Sequence, residues 1–341
     1  KKSKSTYRKK PFKKNLFKLS TSFGFGFYLS GIHWITNSLY FDESFWILIP
    51  FGLILVPLFL SLFFSIVILI IGPFLNFNLT SLLLFSGGIA FSDYIRAKTL
   101  TGFPWNLWAY SFSWSNEIIQ ILNVLGLYAF NLISITLFLI PTILFFKINL
   151  NKKIFALLFL SLSILSFYIY GSHSINNNQN LQKSINEKFK VKIVSPNFNL
   201  EYNLTKIQIK ERLEKLIRYS EPKKNTETLF IWPEGVFSGY NFEGIIGLKE
   251  IFYNNFGETH LILFGINRFD KKKNGLYNSL IIVNNRLEIL QEYRKQKLVP
   301  FGEFLPFEKI LSSLGLKKIT EGYGSFLKAR NQSNLIIGEL N

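Results

Sequence analysis

The run "WILIPFGLILVPLFLSLFFSIVILIIG", residues 46–72, contains no charged side chain. It exceeds the ~20 apolar residues needed to cross the hydrocarbon core of a bilayer. In lipid every backbone N–H and C=O must be satisfied within the segment, so the run is expected as a helix. Pro50 and Pro57 fall near its start, where a kink is tolerated. Four further windows approach the same length, at 16–39, 79–97, 117–146 and 154–171. Together the five predict a multi-span α-helical membrane domain over residues 1–171. The first window is the most polar, with His33 and Asn37, but Gly24, Gly26 and Gly31 suit close helix packing. "FGFGF" at 23–27 is not a phosphate loop, because no strand precedes it.

Net charge is +18, and one end is dominated by Lys1, Lys2, Lys4, Arg8, Lys9, Lys10, Lys13, Lys14 and Lys18. Such a run can bind nucleic acid, but apolar sequence follows at once. It reads more simply as the flank of a membrane span facing the cytoplasm, with no nucleic-acid partner. The lysines of "KINLNKK" at 147–153 agree with that orientation, while Arg96 and Lys98 oppose it. Five crossings from the inside place everything after about residue 171 outside the cytoplasm. For a bacterial inner membrane this is the periplasmic side.

The segment 92–114, "SDYIRAKTLTGFPWNLWAYSFSW", is dense in aromatics, among them Trp105, Trp108 and Trp114. It reads either as an interfacial aromatic belt or as an arm that shapes a lipid-entry site. Arg96 either snorkels to the interface or meets a lipid phosphate. Beyond Tyr170 the character changes. Residues 1–171 hold four of the 21 acids, and residues 172–341 hold the other 17. Residues 172–188 are expected as an aperiodic polar linker. From 189 to 341, short apolar strands alternate with amphipathic helices, which predicts an α/β domain. Strands are expected at "VKIVSPN", "TLFIWPE" and "HLILFGINRF", helices at 204–220 and 243–256, and a hairpin turning at Asn284-Asn285.

Two places in that half carry chemistry. Glu234 follows Pro233 at the end of a strand, where α/β folds open their site-bearing face. It is either a catalytic carboxylate or the cap of a helix after the proline. In "YRKQKLVPFGEFLPF", Lys295, Lys297 and Glu303 surround a Pro-Phe-Gly turn. They are either a charged constellation able to polarise a carbonyl, or an ordinary surface loop. His33, His173 and His260 lack ligand spacing, so no metal is argued. The chain has no cysteine and no methionine, position 1 included, and it closes mid-strand on "NLIIGELN". Both ends are therefore expected to be cut.

Taken in order, "FGFGFYLSGIHWI", "TGFPWNLWAYS", "VSPN", "IWPEGVF", "LYNSLIIV" and "KLVPFGEFLP" resemble the bacterial apolipoprotein N-acyltransferases, a branch of the nitrilase or carbon–nitrogen hydrolase superfamily. The resemblance runs almost end to end. It implies an α-β-β-α sandwich for the second domain, incomplete at its C-terminus. It also implies roles: Glu234 as general base, Lys295 as the group stabilising the oxyanion, and Glu303 as a supporting carboxylate. Lys297, though nearer the Pro-Phe-Gly turn, does not match. The nucleophilic cysteine of the family is expected beyond Asn341, so this stretch alone is expected to be inactive. Trp105, Trp108, Arg96 and Asn278 are candidate substrate contacts. The implied reaction is ping-pong transfer of an acyl chain from a phospholipid to the α-amine of a diacylglyceryl-cysteine, with no cofactor. The implied partners are the phospholipid donor, the diacylglyceryl-apolipoprotein acceptor and the bilayer. The rivals are a membrane-tethered amidase acting on a small amide, and a non-catalytic membrane protein.

Overall fold

A computed structural model of the chain describes residues 10–308 except 41–42, 77, 100–101, 189, 200, 202–203 and 301, together with 313 and 325–330. The chain divides into two compact units, Lys1–Gln179 and Asn180–Asn341.

The first unit is helical: α1 (Lys10–Ile32), α2 (Ile49–Ile71), α3 (Leu79–Lys98), α4 (Asn116–Ile119), α5 (Leu122–Leu125), α6 (Leu127–Leu139) and α7 (Leu150–Lys188), with short 3-10 turns between. Among the described residues, three stretches are long and apolar enough to cross a membrane, Phe45–Phe74, Leu127–Phe145 and Leu150–Gln179. In the last of these only 6% of the apolar window is buried within the protein. Phe155, Leu158, Phe159 and Leu162 of α7 face outward, as do Ile54, Leu55, Phe59 and Ile66 of α2. An aqueous surface this apolar is disfavoured, and lipid is the solvent that suits it. Serines of this unit turn their hydroxyls back on the helix, as in Ser86 to Leu82 and Ser134 to Phe130, or meet across helices, as Thr21 and Ser65 do at 2.8 Å.

Small residues do the close packing. A Cβ on Gly24 would stand 3.0 Å from Ser61 Cβ, so α1 and α2 approach at that point. Gly31 instead seats the Asn106 side chain, whose Nδ2 also donates to Phe27 O at 3.2 Å. Gly26 faces open space. Gly31→Val is expected to displace Asn106 and to cost about 1–3 kcal/mol through overpacking. Thermal melting in detergent checks this, and Gly26→Val is the near-neutral control.

Two expectations for this unit change. The window 117–146 is not one continuous helix. Gly126, at φ +74, ends α5 and begins α6. Residues 172–188, expected as an aperiodic linker, are helical. Propagation from an established helix needs no new nucleus, so α7 carries its polar tail as far as Lys188.

The second unit holds one five-stranded sheet among the described residues. Its order is β1 (Lys190–Ile193), β2 (Thr228–Ile231), β3 (His260–Asp270), β4 (Gly275–Val283) and β5 (Ile289–Arg294). The first three strands are parallel to one another; β3–β4 and β4–β5 are antiparallel. α8 (Lys206–Ser220) starts with a capping box between Thr205 and Gln208, and its Leu213 and Leu216 are fully buried. The expected helix 243–256 is divided into α9 (Phe242–Ile245), a 3-10 turn and α10 (Lys249–Asn255). Gly244 and Gly247 weaken a continuous helix there. Phe252 and Phe256 pack with Phe230, Phe264, Ile281 and Val283, so the helices cover one face of the sheet. His260 is fully buried and purely structural. Its Nδ1 accepts from Gly257 N, and its Nε2 faces the carbonyls of Lys223 and Thr226. The hairpin turn is longer than Asn284-Asn285. It runs to Glu288, with Asn284 Oδ1 accepting from the N–H of Arg286 and of Glu288.

Candidate functional site

Strand β2 ends at Ile231, just short of Pro233. Trp232 is buried, donates its Nε1–H to Ser220 Oγ at 3.0 Å, and sends its backbone N–H to Leu263 O at 2.9 Å. Pro233 has no N–H to continue the ladder. Glu234 therefore leaves the sheet beside its neighbour β3, exposed at the strand end. It does not cap a helix: α9 is capped by Asn241, whose side chain accepts from Gly244 N. The Glu234 side chain instead lies across Gly265 of β3. A Cβ built on that glycine would stand 3.3 Å from both Glu234 Cα and Cγ. An isolated glycine inside a strand signals such a close approach, and that signal could have picked out Gly265 in "LILFGINRF".

The second arm of the site comes from β4 and β5. Ser279 pairs with Arg294, and alternation puts Asn278 and Lys295 together on the opposite face. Their backbones are joined, Lys295 N–H to Asn278 O at 2.8 Å. Glu303 arrives from the Pro-Phe-Gly turn. Its Oε1 accepts from Lys295 Nζ at 2.8 Å and from Asn278 Nδ2 at 2.9 Å, and its Oε2 accepts from Val299 N–H at 2.8 Å. Asn278 Nδ2 also donates to Glu234 Oε1 at 2.8 Å. An amide nitrogen carries two hydrogens, so one asparagine serves both carboxylates. Lys297, two residues past Lys295, is exposed beyond the end of the strand.

Burial pushes the Glu303 carboxyl up, but the Lys295 ammonium, the Val299 N–H and the Asn278 amide outweigh it. The carboxyl is held below its ordinary value of 4.5. A carboxylate depressed in the folded state stabilises the fold above its unfolded pKa, and that stability fades as pH falls through the folded value. Glu303→Gln is therefore expected to lower the melting temperature at neutral pH, and the difference from the unmodified chain should shrink steadily below pH 4.5. A pH series of melting curves checks the sign.

The arrangement suits proton transfer and charge stabilisation. Glu303 is occupied by three donors and keeps Lys295 in place. Glu234 has one donor among the described residues and is exposed, so its carboxylate can accept a proton. Lys295 keeps two further N–H bonds to offer a developing oxyanion.

Arg96, Trp105 and Trp108 all lie in the first unit. Arg96 does not snorkel. Its side chain is 1% exposed and is paired with Asp93 at 3.0 Å. Its Nη1 donates to Phe103 O and to Trp105 O at 2.6 and 2.8 Å. Asp93 also accepts from Asn131 Nδ2 at 2.9 Å, and Asn131 Oδ1 accepts from Ala109 N–H. The guanidinium is spent on holding the aromatic segment, not on a lipid phosphate. Asp93 and Asn131 went unremarked in the sequence, although an acid within an apolar helical window is a signal in itself. Trp105 is half exposed and meets Trp34 edge-on at 5.3 Å, while Trp108 stacks on Phe27 at 4.7 Å.

A family model described as the apolipoprotein N-acyltransferase N-terminal domain matches residues 5–140. The chain is 33% identical over 306 residues to a protein of Rickettsia typhi named apolipoprotein N-acyltransferase, covering 88% of this chain and 59% of that one. A protein of the same name from Brucella melitensis is 28% identical over 324 residues, 92% of this chain and 60% of the relative. The chain thus spans about 60% of the length of the curated relatives it matches. A solved N-terminal amidase aligns with 32% of this chain and 28% of its own, at 18% identity and a TM-score of 0.22. With its apolar helices, the chain is membrane-associated.

Proposed function

We propose that this chain, a relative of the apolipoprotein N-acyltransferases over most of its length, belongs to a protein that moves an acyl chain from a phospholipid to the α-amine of a diacylglyceryl-cysteine. The observation that carries the reading is the bridge through Asn278. Glu234, Lys295 and Glu303, 69 positions apart at their extremes, meet on one sheet face through a single amide.

In the proposed mechanism Glu234 takes the proton of a thiol, because the thiolate is the nucleophile. These 341 residues contain no cysteine, so the proposal requires a thiol from outside them. The thiolate attacks the ester carbonyl of the lipid, and Lys295 stabilises the oxyanion of the tetrahedral intermediate. That intermediate collapses to a thioester and releases a lysophospholipid, whose alkoxide takes up the proton from Glu234. The acceptor amine then attacks the thioester, gives its proton to Glu234, and leaves as an amide while the thiol is restored. Glu303 holds Lys295 aimed at the carbonyl. Both substrates are lipid-anchored, which supports placing the reaction at a membrane. Five crossings, with 16–39 and 79–97 added to the three apolar stretches, belong to the same proposal. So do a bacterial inner-membrane location and a periplasmic catalytic unit.

The test is an acyl-transfer assay with the full-length protein, a phospholipid and a diacylglyceryl-cysteinyl peptide. Mass spectrometry is expected to find the peptide heavier by one acyl chain. Hydrolysis of a small amide with no transfer to the peptide would instead favour a membrane-tethered amidase.

A further inference from the structure

The face of β4–β5 opposite Asn278 and Lys295 carries a second polar cleft. Lys273, Tyr277, Arg294, Lys328, Ala329 and Arg330 enclose about 530 Å³ there. Alternation explains the separation: Tyr277 and Arg294 precede Asn278 and Lys295 by one residue each, so they point the other way. Segment 325–330 is tied to the sheet by two backbone bonds, Leu327 N–H to Leu276 O at 2.7 Å and Ala329 N–H to Lys295 O at 3.2 Å. Lys328 and Arg330 are thereby held at the cleft's edge.

The lining is almost entirely donors. Tyr277 lines the cleft and is 3% exposed, and its hydroxyl oxygen accepts from Lys273 Nζ at 2.8 Å, which leaves its hydrogen to be donated to a ligand. The Arg294 guanidinium lies over the Tyr277 ring at 4.5 Å. The acids nearby are already engaged. Asp270 accepts from the N–H of Lys272 and Lys273, and Glu292 accepts from Arg294 Nε at 2.9 Å and from Ser279 Oγ at 3.0 Å. Lys328 and Arg330 have no acidic partner among the described residues. Four cations against two committed carboxylates leave a positive cleft with a hydroxyl in its lining.

We infer that this cleft binds a phosphoryl group, the anion whose several acceptor oxygens match clustered ammonium, guanidinium and hydroxyl donors. The ligand is either the phosphate of a lipid headgroup or free phosphate. The site lies on the face of the sheet that Glu234 and Lys295 do not use. It therefore binds its ligand independently of acyl transfer.

The experiment uses the whole chain in a neutral detergent and measures binding calorimetrically. Three probes are titrated: inorganic phosphate, dihexanoyl phosphatidylglycerol, and dihexanoylglycerol as the phosphate-free control. Saturable binding is expected for at least one phosphoryl probe and not for dihexanoylglycerol. Comparable binding of both phosphoryl probes identifies the phosphoryl group alone as the ligand, and binding of the lipid alone identifies the headgroup. The triple variant Lys273→Gln, Lys328→Gln, Arg330→Gln is expected to bind at least about tenfold more weakly. A control that removes equal charge elsewhere, Lys206→Gln, Lys224→Gln, Lys249→Gln, should stay within about twofold, because none of these exposed lysines lines the cleft. Tyr277→Phe, which deletes one hydroxyl, should also weaken binding and serves if the triple variant does not fold. Absence of saturable binding, equal loss in both triple variants, or unchanged affinity in the lining variants would overturn the inference.

Discussion

Glu234→Gln, made in a form of the protein that includes the nucleophile, should lower acyl transfer by about 10²–10⁴-fold, the usual worth of a positioned general base. The glutamine keeps the shape and can still accept from Asn278, but it cannot take a proton. The fold should be untouched, since Glu234 is exposed and its backbone is fixed by Trp232 and the turn at Gly235. Melting temperature and lipid binding should therefore match the unmodified enzyme while turnover collapses. Lys295→Ala is expected to lose a similar factor by a different route, removing the oxyanion donor and leaving Glu303 without its ammonium.

The second large effect is on stability. Arg96→Ala should destabilise the first unit by about 3–5 kcal/mol, the cost of breaking a buried ion pair by removing one partner. Asp93 would remain buried with only the Asn131 amide, and the carbonyls of Phe103 and Trp105 would lose their donor. Lysine is not a substitute, because it lacks the planar fork that reaches a carboxylate and two carbonyls at once. Replacing both Asp93 and Arg96 with apolar residues should cost less than the sum of the two single changes. A double-mutant cycle on thermal stability in detergent measures that coupling. Increased accessibility of Trp105 to a fluorescence quencher in Arg96→Ala would show the aromatic segment released.

The contrast between the Glu234–Lys295–Glu303 site and the Arg96–Asp93 cluster explains what could be read from the sequence. Glu234 was legible because its position depends on local events: an apolar strand, a proline, then an acid. The order of the strands and the helix over 204–220 were legible for the same reason. The link from Glu234 to Glu303 was not, because it passes through Asn278 and needs the β3–β4 and β4–β5 registers together. Asn278 could be named as lining the site, but its bridging role depends on pairings that periodicity does not encode. Arg96 was misjudged for a related reason. A cation near a span end was weighed as a topology signal, whereas Asp93, one turn earlier on α3, neutralises it inside the protein. The polar tail of α7 was missed because composition argues against a helix starting there, not against one continuing.

The choice between Lys295 and Lys297 is where geometry sharpens the chemistry most. Both lie within reach of the turn in sequence, and only Lys295 is bonded to Glu303. The most direct measurement is the hydroxylamine-sensitive acyl-enzyme formed when the full-length protein meets a phospholipid without acceptor. The account predicts that the thioester accumulates in the unmodified enzyme and in Lys297→Ala, and is absent in Glu234→Gln and Lys295→Ala. A thioester retained at full yield in Glu234→Gln or Lys295→Ala, or lost in Lys297→Ala, would contradict it.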